Sequence, residues 1–394
     1  MTEAATSPLR AEVQPLRIMH LSRAAETLNS FMIPTMQEQI RLGHEVCICT
    51  DESVHTEPLR RAGFDVSIHG MKRSLNPFGA LQAVLRIRRF LIERRIEVVI
   101  CHNSLAGQVG RLGAWLAGTP EVIYFAHGLA CGPAQSPLLW RLRYYAERVF
   151  APCTTAIVIM NDYDEHISKV GRLARAPERV FRIPGMGVDL SKFSTERAPH
   201  LEEKLARELA IDPDRKLVLC VARLIPEKGV VELVEAAKLV CRARKDVVFL
   251  IAGTGPLLEK LRAMVRSSGL ERQFRVLGWR NDVNALMKCA DILTLPSYYM
   301  EGLPVSILEA MACGKPVVAT HHKGCEDAVV DGQTGYLVPV RAVEPLAEKL
   351  VALLGDPDLR ARMGQAGRRR VEQHYEIDHC TRTIVGVLEN AMSR

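Results

Sequence analysis

The chain has 394 residues, of which 48% are hydrophobic and 25% charged, and its formal net charge is +7. This length is too great for one ordinary core and predicts two domains of similar size. The composition is that of a soluble globular protein, and no apolar run reaches the roughly eighteen residues needed to span a bilayer. Low-complexity and membrane-spanning classes are therefore excluded.

The N-terminus and the cysteines indicate the compartment. Residues 1–15 lack the apolar core of a signal peptide and are expected to be a frayed extension. Eleven cysteines are scattered without a CxxC pair. Most of them, such as Cys220, Cys289 and Cys313, fall in apolar segments, which predicts reduced thiols packed as small hydrophobic side chains. We therefore expect a cytoplasmic protein without structural zinc.

The first half alternates short apolar runs with helical periodicity, which is typical of βαβ units and a parallel sheet. The predicted strands are 16–22, 44–50, 97–103, 121–127, 155–160 and 180–184. The predicted helices include 30–42, 77–95, 105–117 and 136–150. Residues 185–205 are rich in turn formers and charge and are predicted to be a linker.

Two stretches of this half, 81–95 and 136–150, interleave arginines with bulky apolar side chains. Such basic amphipathic helices can lie on an anionic membrane surface, but a helix packed on a sheet with its arginines in water has the same pattern. Residues 1–195 carry 23 Lys and Arg against 18 Asp and Glu. We expect a membrane surface as partner. Nucleic acid is not expected, because no recognised binding module accompanies the charge.

The alternation restarts after the linker, in the runs KLVLCVARL, DVVFLIAG, QFRVLG, ADILTLP, KPVVAT and GYLVP. It predicts a second parallel sheet in residues 196–375. Residues 376–394 remain as an amphipathic helix. The predicted fold class is thus α/β, with one Rossmann-like domain in 1–195 and another in 196–375.

The segment YYMEGLPVSILEAMACGKPVVAT contains the clearest candidate binding site. Pro304 stands where a helix would begin, because its fixed φ suits a first helical turn, and Gly314 is a natural C-terminal stop. Amides at the start of such a helix point outward and form a ready anion site. They belong to Gly302, Leu303, Val305 and Ser306.

Two carboxylates flank this anion site. Glu301 stands just before it, and Glu309 lies two turns along the helix. A phosphate on the amides, with one carboxylate for sugar hydroxyls and one for ribose, suits a sugar nucleotide. A capping arrangement with a solvated face would also explain two glutamates around a helix start.

Two cations follow the first strand of the second domain. Arg223 and Lys228 lie in the loop after this strand, and Gly229 leads into a helix. Ligands of open α/β sheets bind outside the carboxyl ends of strands, so both cations lie at the correct edge. Fixed cations could stabilise charge on a departing diphosphate without a metal. The plainer explanation is a solvated arginine beside a Glu227–Lys228 pair.

Together these motifs resemble the retaining nucleotide-sugar glycosyltransferases of family 4. The matching residues are Glu301-Gly302-Leu303-Pro304, Glu309-Ala310 and Gly314-Lys315-Pro316-Val317-Val318. The resemblance covers most of the chain and is strongest in the second half. It implies the GT-B arrangement of two Rossmann-like domains facing a cleft, with the final helix crossing back to the first domain. It also implies that no metal ion or other cofactor is needed.

The resemblance implies further contacts. The turn with Gly253 and Gly255 would lie at the nucleotide, although a plain tight turn explains two glycines equally well. Gly278 to Arg280 would line the base pocket. His127 resembles the histidine that contacts the donor sugar, whereas strand-end histidines often serve only the core. His102-Asn103-Ser104 resembles an acceptor-side loop.

Two segments depart from the family pattern. Relatives often carry paired glycines after the first strand, but no glycine lies between Leu21 and Phe31 here. We expect Ser22, Arg23 or Thr27 to shape that edge. The second departure is Lys323-Gly324-Cys325-Glu326, in which we expect Glu326 to keep a structural place near the cleft.

The phrase GMGVDLSKF (185–193) resembles polysaccharide-assembly members that act on polyprenyl-diphosphate-linked sugars. The predicted function is retaining transfer of a hexose or N-acetylhexosamine from a nucleotide-sugar, with UDP expected, to such a glycan. The enzyme would be peripheral on the inner face of the cytoplasmic membrane. Two alternatives stay open, a nucleotide-sugar hydrolase or epimerase on the same fold, and a non-catalytic docking subunit.

Overall fold

The computed structural model describes residues 14–69, 77–196, 199–212 and 214–393, without the side chains of Pro77, Leu105 and Glu202. The predicted N-terminal extension lies almost wholly outside these residues. Within them, two separate parallel sheets are present, one of seven strands and one of six. The predicted fold class of two Rossmann-like α/β domains is confirmed.

The first sheet has the strand order β3-β2-β1-β4-β5-β6-β7. Its strands are β1 (Arg17–Ser22), β2 (Glu45–Thr50), β3 (Asp65–Ile68), β4 (Val98–His102), β5 (Glu121–Phe125), β6 (Ala156–Ile159) and β7 (Val180–Arg182). The helices of this half are α1 (Ala25–Phe31), α2 (Ile33–Arg41), α3 (Thr56–Arg61), α4 (Pro77–Glu93), α5 (Ser104–Ala117), α6 (Pro137–Val149) and α7 (Asp162–Val170).

The second sheet has the order β10-β9-β8-β11-β12-β13. Its strands are β8 (Lys216–Val221), β9 (Val247–Ala252), β10 (Phe274–Gly278), β11 (Ile292–Leu295), β12 (Val317–Thr320) and β13 (Gly335–Val338). The helices of this half are α8 (Pro199–Leu209), α9 (Val230–Ala243), α10 (Leu258–Ser267), α11 (Val283–Cys289), α12 (Val305–Ala312), α13 (Cys325–Ala328), α14 (Val343–Gly355), α15 (Pro357–His374) and α16 (Ile377–Met392).

All twelve predicted strands are present, because fully buried parallel strands give near-continuous apolar runs. The missed strand is β3, an edge strand of four residues whose side chains are partly exposed, so that it carries no such run. The predicted helix 30–42 matches α2 (Ile33–Arg41), and its first two residues belong to the end of α1 (Ala25–Phe31). The linker prediction for 185–205 was wrong from Pro199 onward, where α8 begins.

The last helix crosses back to the first domain as predicted. The carboxylate of Glu389 in α16 is 3.0 Å from Nε2 of the buried His44, which follows α2. Arg179 donates to the carbonyl of Ala391 at 2.6 Å. These contacts attach the C-terminal helix to the N-terminal domain, although the contacting residues are 345 and 212 positions apart in the sequence.

The cysteines are free thiols, and all are buried except the partly exposed Cys289. Burial raises the pKa of Cys220 to about 12, so its thiol is neutral. The prediction of reduced, packed cysteines is therefore confirmed. Within the described ranges, no helix has the length and apolar character needed to cross a bilayer.

Candidate active site

The loops that follow β8 and β11 meet at the carboxyl edge of the second sheet. After β8 the chain passes Arg223 and makes a short 3-10 turn, Pro226–Lys228, before α9. Tyr298, after β11, donates its amide to the carbonyl of Glu227 at 2.8 Å. The two loops are thus fastened together, which brings distant sequence segments into one site.

Lys228 and Glu301 form an ion pair at this junction. Ser297, which is fully buried, donates to the same carboxylate oxygen at 2.6 Å. Desolvation acts to raise the pKa of Glu301, but Lys228, Ser297 and Arg223 outweigh it and leave the pKa below its ordinary value. Glu301 is therefore an ionised carboxylate held in a fixed position.

Arg223 reaches the same place from the other side. Its guanidinium carbon lies 4.8 Å from the ring centre of Tyr299, and Nζ of Lys228 lies 5.1 Å from that centre. Tyr299 thus holds both predicted cations by cation–π contacts. Arg223 itself is exposed, so its charge faces the cleft and solvent.

The glycine turn after β9 supports this loop. A Cβ on Gly253 would lie 1.9 Å from the carbonyl oxygen of Ala222, and one on Gly255 would lie 2.5 Å from that of Leu224. Both glycines are therefore required by close approach of the chain on either side of Arg223. Gly253 also donates to the carbonyl of Gly278 at 2.7 Å, which places the predicted base-pocket segment beside the turn.

Arg280 ends the predicted base-pocket segment, and two carboxylates hold its side chain. Its guanidinium is hydrogen bonded to Asp282 at 2.7 and 2.8 Å and forms an ion pair with Glu208 of α8. This guanidinium therefore fastens α8 to the turn after β10. The sequence does not reveal this contact, because Glu208 lies 72 residues away along the chain.

The helix that carries Glu309 begins as predicted, within one residue. Pro304 is the N-cap and α12 runs from Val305, while Gly314 follows the helix with a φ of 69°. The amides of Val305 and Ser306 precede the first hydrogen bond of this turn, which Ile307 donates to the carbonyl of Pro304 at 3.1 Å. Gly302 and Leu303 precede them and are buried, so this helix start lies deep in the junction between the domains.

Glu309 lies farther along α12 and is partly buried. Desolvation raises its pKa to about 7, and Lys192 lowers it only in part. Glu309 is therefore protonated in a large fraction of molecules near neutral pH. Either form of the carboxyl group can accept hydrogen bonds from the ribose hydroxyls that the sequence assigned to it.

His127 approaches Glu301 from the first domain. A Cβ on Gly128 would lie 2.3 Å from the carbonyl oxygen of Met300 and 2.9 Å from the amide of Gly302. The backbones of the two domains therefore touch at this point, which only a glycine allows. His127 is partly exposed beside this contact, and desolvation lowers its pKa to about 4, so its ring is neutral.

A buried polar network joins the domains next to this contact. Nζ of Lys323, which is fully buried, is 2.7 Å from Asp164 and 2.9 Å from the carbonyls of Leu129 and Cys131. Asn161 donates to the carbonyl of Gly302 at 3.0 Å. The network spans both domains and fixes their relative position around the cleft.

Glu326, expected near the cleft, is exposed and pairs with His321 at 2.7 Å. The turn directs the next carboxylate, that of Asp327, toward the other domain. Asp327 accepts from the amide of Asp162 at 2.9 Å and pairs with Arg182 at 3.1 Å.

The first-strand loop without glycines is organised by side chains. Asn103, with a φ of 64°, donates to the hydroxyls of Thr27 at 3.1 Å and Ser22 at 3.3 Å. Two of the three side chains expected to shape this edge thus hold the predicted acceptor-side loop.

A cavity of about 580 Å³ lies away from this cleft, between α8 and the rest of the second domain. Its walls include Glu203, Asp212 and Lys288, and none of the predicted site residues lines it. Among the residues that the structure describes, no group of three or more His, Cys, Asp or Glu could hold a metal ion.

Sequence reasoning missed the residues that act across the domains. Asn161 and Asp164 follow β6 at the same sheet edge as His127, and an Asn at the N-cap of the helix after a buried strand was an available signal. Ser297 and Tyr299 lie near Glu301 in the sequence, but the contacts of Tyr299 with Arg223 and Lys228, both more than 70 residues away, appear only in the folded chain. Lys323 was seen as a departure, but its burial is a tertiary property.

Two family models match the chain, one on each domain. The model described as "Glycosyl transferase 4-like domain" matches residues 34–184, and "Glycosyl transferases group 1" matches residues 202–370. The predicted resemblance is confirmed, and so is the prediction of an enzyme of the hexosyltransferase class.

The chain is similar over most of its length to two curated transferases. It is 27% identical over 350 residues to the UDP-Gal:alpha-D-GlcNAc-diphosphoundecaprenol alpha-1,3-galactosyltransferase of Escherichia coli, covering 88% of this chain and 87% of that protein. It is 26% identical over 380 residues to the N,N'-diacetylbacillosaminyl-diphospho-undecaprenol alpha-1,3-N-acetylgalactosaminyltransferase of Campylobacter jejuni, covering 92% and 95%.

Solved structures with little sequence identity share the whole fold. Anabaena HepE in complex with UDP and glucose superposes with a TM-score of 0.79 at 19% identity, covering 95% of this chain and all of that one. WaaG, a glycosyltransferase involved in lipopolysaccharide biosynthesis, has a TM-score of 0.72 at 19% identity, covering 94% and 99%. These likenesses confirm the two-domain architecture.

Proposed function

Because the chain belongs to family 4 of the glycosyltransferases, we propose that it transfers a hexose or N-acetylhexosamine from a UDP-sugar to a polyprenyl-diphosphate-linked glycan, with retention at the anomeric carbon. The UDP assignment is supported by the name of the E. coli relative and by the nucleotide in the HepE complex. The acceptor class is supported by the names of both curated relatives.

The observation that carries the proposal is the convergence of charges at one cleft. Arg223, Lys228 and the start of α12 provide positive potential where a diphosphate would lie, and His127 faces them from the other domain. Glu301 would bind the sugar hydroxyls between these groups, and Glu309 the ribose. Fixed cations and helix amides stabilise a departing diphosphate without rearranging.

The proposed transfer reaction uses the groups that line the cleft. The bond between the anomeric carbon and the diphosphate oxygen breaks, and an acceptor hydroxyl forms the new bond on the same face. The hydroxyl proton passes to the departing phosphate oxygen. Glu301 is held by Lys228 and Ser297, so we assign it to binding and not to covalent attack. We propose that no metal or cofactor takes part.

A lipid-linked acceptor requires the enzyme to work at a membrane, and α6 provides a suitable surface. Leu138, Leu142, Tyr145 and Val149 are 79%, 67%, 61% and 70% exposed and recur at helical spacing on one side of the helix. Exposed arginines flank this stripe. Apolar side chains and cations on one helix face suit anionic lipid. We propose peripheral attachment to the inner face of the cytoplasmic membrane.

The experiment supplies radiolabelled UDP-sugars with and without polyprenyl-diphosphate-linked acceptors and identifies products by mass. Transfer requires both substrates, and product anomers are assigned by NMR. Release or rearrangement of sugar from the donor alone would favour the hydrolase or epimerase instead. Inverted linkage would remove the proposed stereochemistry.

UDP binding tests the phosphate site by itself. Arg223→Ala is expected to weaken UDP binding by roughly 10- to 100-fold in calorimetry, because it removes a charge-assisted contact. Arg242→Ala, which changes an exposed arginine of α9, is the matched control and should bind as wild type. Absence of UDP binding by the wild-type protein would remove the UDP assignment.

A further inference from the structure

Three histidines on neighbouring strands of the first sheet form a hydrogen-bonded chain that begins at the cleft. Nε2 of His127, just after β5, is 3.0 Å from Nδ1 of His102 at the end of β4. Nε2 of His102 is 3.1 Å from Nδ1 of His20 in β1. Nε2 of His20 is in turn 2.9 Å from Oε1 of Gln39 in α2. This chain of side chains thus connects the candidate site to α2.

Only the first member of this chain can touch a ligand. His20, His102 and Gln39 are fully buried, whereas His127 is partly exposed. The rings of His20 and His102 stack with centres 5.3 Å apart and planes 16° from parallel. The inner rings therefore have fixed orientations and can act on a substrate only through His127.

The hydrogen bonds determine where each proton lies. Desolvation lowers the pKa of His20 and of His127 to about 4 and that of His102 well below its ordinary value, so all three rings are neutral near pH 7. A neutral imidazole has one donor and one acceptor nitrogen. Because Oε1 of Gln39 can only accept, Nε2 of His20 carries the proton. The same pattern then repeats along the chain, so that Nε2 of His127 donates to His102.

We propose that Gln39, acting through His20 and His102, holds His127 in the tautomer whose Nδ1 is a hydrogen-bond acceptor for a hydroxyl of the donor sugar. The inference rests on the proposed placement of that sugar against His127. Gln39, His20 and His102 are positioning residues, since which nitrogen of an imidazole is protonated is set by the bond that the other nitrogen makes.

The environment of Gln39 supports this role. Its amide nitrogen is buried with no hydrogen-bond partner among the described residues. A buried unpaired donor costs stability, and an apolar side chain of the same shape would avoid that cost. The oxygen of this amide serves as the acceptor that fixes the protons of the three imidazole rings, and this is a physical reason for an amide at position 39.

The tautomers can be observed directly by long-range ¹H–¹⁵N correlation of the histidine side chains. We expect all three rings of the wild-type protein to be protonated at Nε2. Protonation of His127 at Nδ1 would overturn the proposal. The wild-type spectrum needs neither substrate nor a variant, so it tests the proposed tautomer of His127 even if a variant does not fold.

Replacing Gln39 with two side chains of nearly equal size distinguishes a positioning role of this residue from a packing role. Gln39→Met removes the acceptor, and we expect His127 to populate both tautomers and kcat to fall on the order of tenfold. Gln39→Glu keeps an acceptor oxygen and should retain the wild-type tautomer and most of the activity. UDP lacks the sugar, so its affinity should be unchanged in both variants. An unaltered tautomer and kcat in folded Gln39→Met would refute the relay.

The two proposals fail in different ways. A wild-type protein without transferase activity, but with a tautomer that responds to Gln39→Met, would remove the proposed function and leave the control of the tautomer standing. An active enzyme whose tautomer ignores Gln39 would remove only the relay.

Discussion

Lys228 and Glu301, 73 residues apart in the sequence, form an ion pair whose side chains are only 12% and 10% exposed. Glu301 also accepts from the buried Ser297 on the same oxygen, Oε1, so two fixed partners hold that oxygen. The pair joins the proposed phosphate site to the proposed sugar site. Mutations of these two residues can therefore distinguish effects on stability from effects on transferase activity.

We expect Lys228→Ala to lower the free energy of unfolding by about 3 kcal/mol, because it leaves a buried carboxylate without its cation. The lowered pKa of Glu301 means that the pair stabilises the fold above the ordinary carboxyl pKa and loses that effect as the pH falls. The loss should therefore be larger at pH 7 than at pH 3. Denaturant unfolding at both pH values measures it.

The double variant Lys228→Ala/Glu301→Gln is the control. Removing both charges should restore most of the stability, while transfer activity stays low because both proposed substrate contacts are gone. If the double variant were as unstable as Lys228→Ala, the penalty would come from packing and not from an unpaired charge.

Glu309 should make stability fall as the pH rises. Its pKa of about 7 in the folded protein lies above the ordinary 4.5, so ionisation is disfavoured by folding. Glu309→Gln should then be more stable than wild type at pH 8, by about 1–2 kcal/mol, and similar to it at pH 4. Thermal unfolding at the two pH values tests this. A difference that does not depend on pH would contradict the raised pKa.

The same position tests the proposed ribose contact. Glu309→Ala should retain the fold but lose most of its turnover, because a hydroxyl partner of the donor is removed. Circular dichroism provides the fold control, and initial rates at saturating acceptor provide the readout. Near-wild-type turnover would count against this assignment.

Lys323 should hold the domains in place. Lys323→Met leaves Asp164 buried without its cation, so we expect a stability loss of about 3 kcal/mol and a looser cleft. A looser cleft admits water, so hydrolysis of the donor without acceptor should rise. Lys245→Met, whose ammonium group donates to the carbonyl of Cys241 in α9 at 2.8 Å, is the matched control. Equal hydrolysis in both variants would argue against an interdomain role.

The stripe on α6 should determine binding to anionic vesicles. Leu142→Asp/Val149→Asp places carboxylates on its exposed side chains, and we expect binding to phosphatidylglycerol vesicles to fall at least tenfold in sedimentation. Val170→Asp changes an equally exposed valine on α7, outside the stripe, and should bind as wild type. Equal loss in both variants would indicate a non-specific effect of charge.

The sequence alone determined the architecture and much of the site. Buried parallel strands appear in the sequence as apolar runs, so all twelve predicted strands are present. The edge strand β3 was missed because its exposed side chains give no such run. Pro304 and Gly314 fixed the ends of α12 because their backbone preferences are local. Arg223 and Lys228 were found because the carboxyl edge of a parallel sheet follows from chain direction.

Only the tertiary structure decided which partner each polar group has. The guanidinium of Arg280 pairs with Glu208, 72 residues away, and Asp327 accepts a hydrogen bond from the amide of Asp162 in the first domain. The chain from His127 to Gln39 crosses three strands and a helix. Such contacts depend on which residues far apart in sequence become neighbours in space, whereas strand patterns and helix ends depend on the properties of neighbouring residues along the chain.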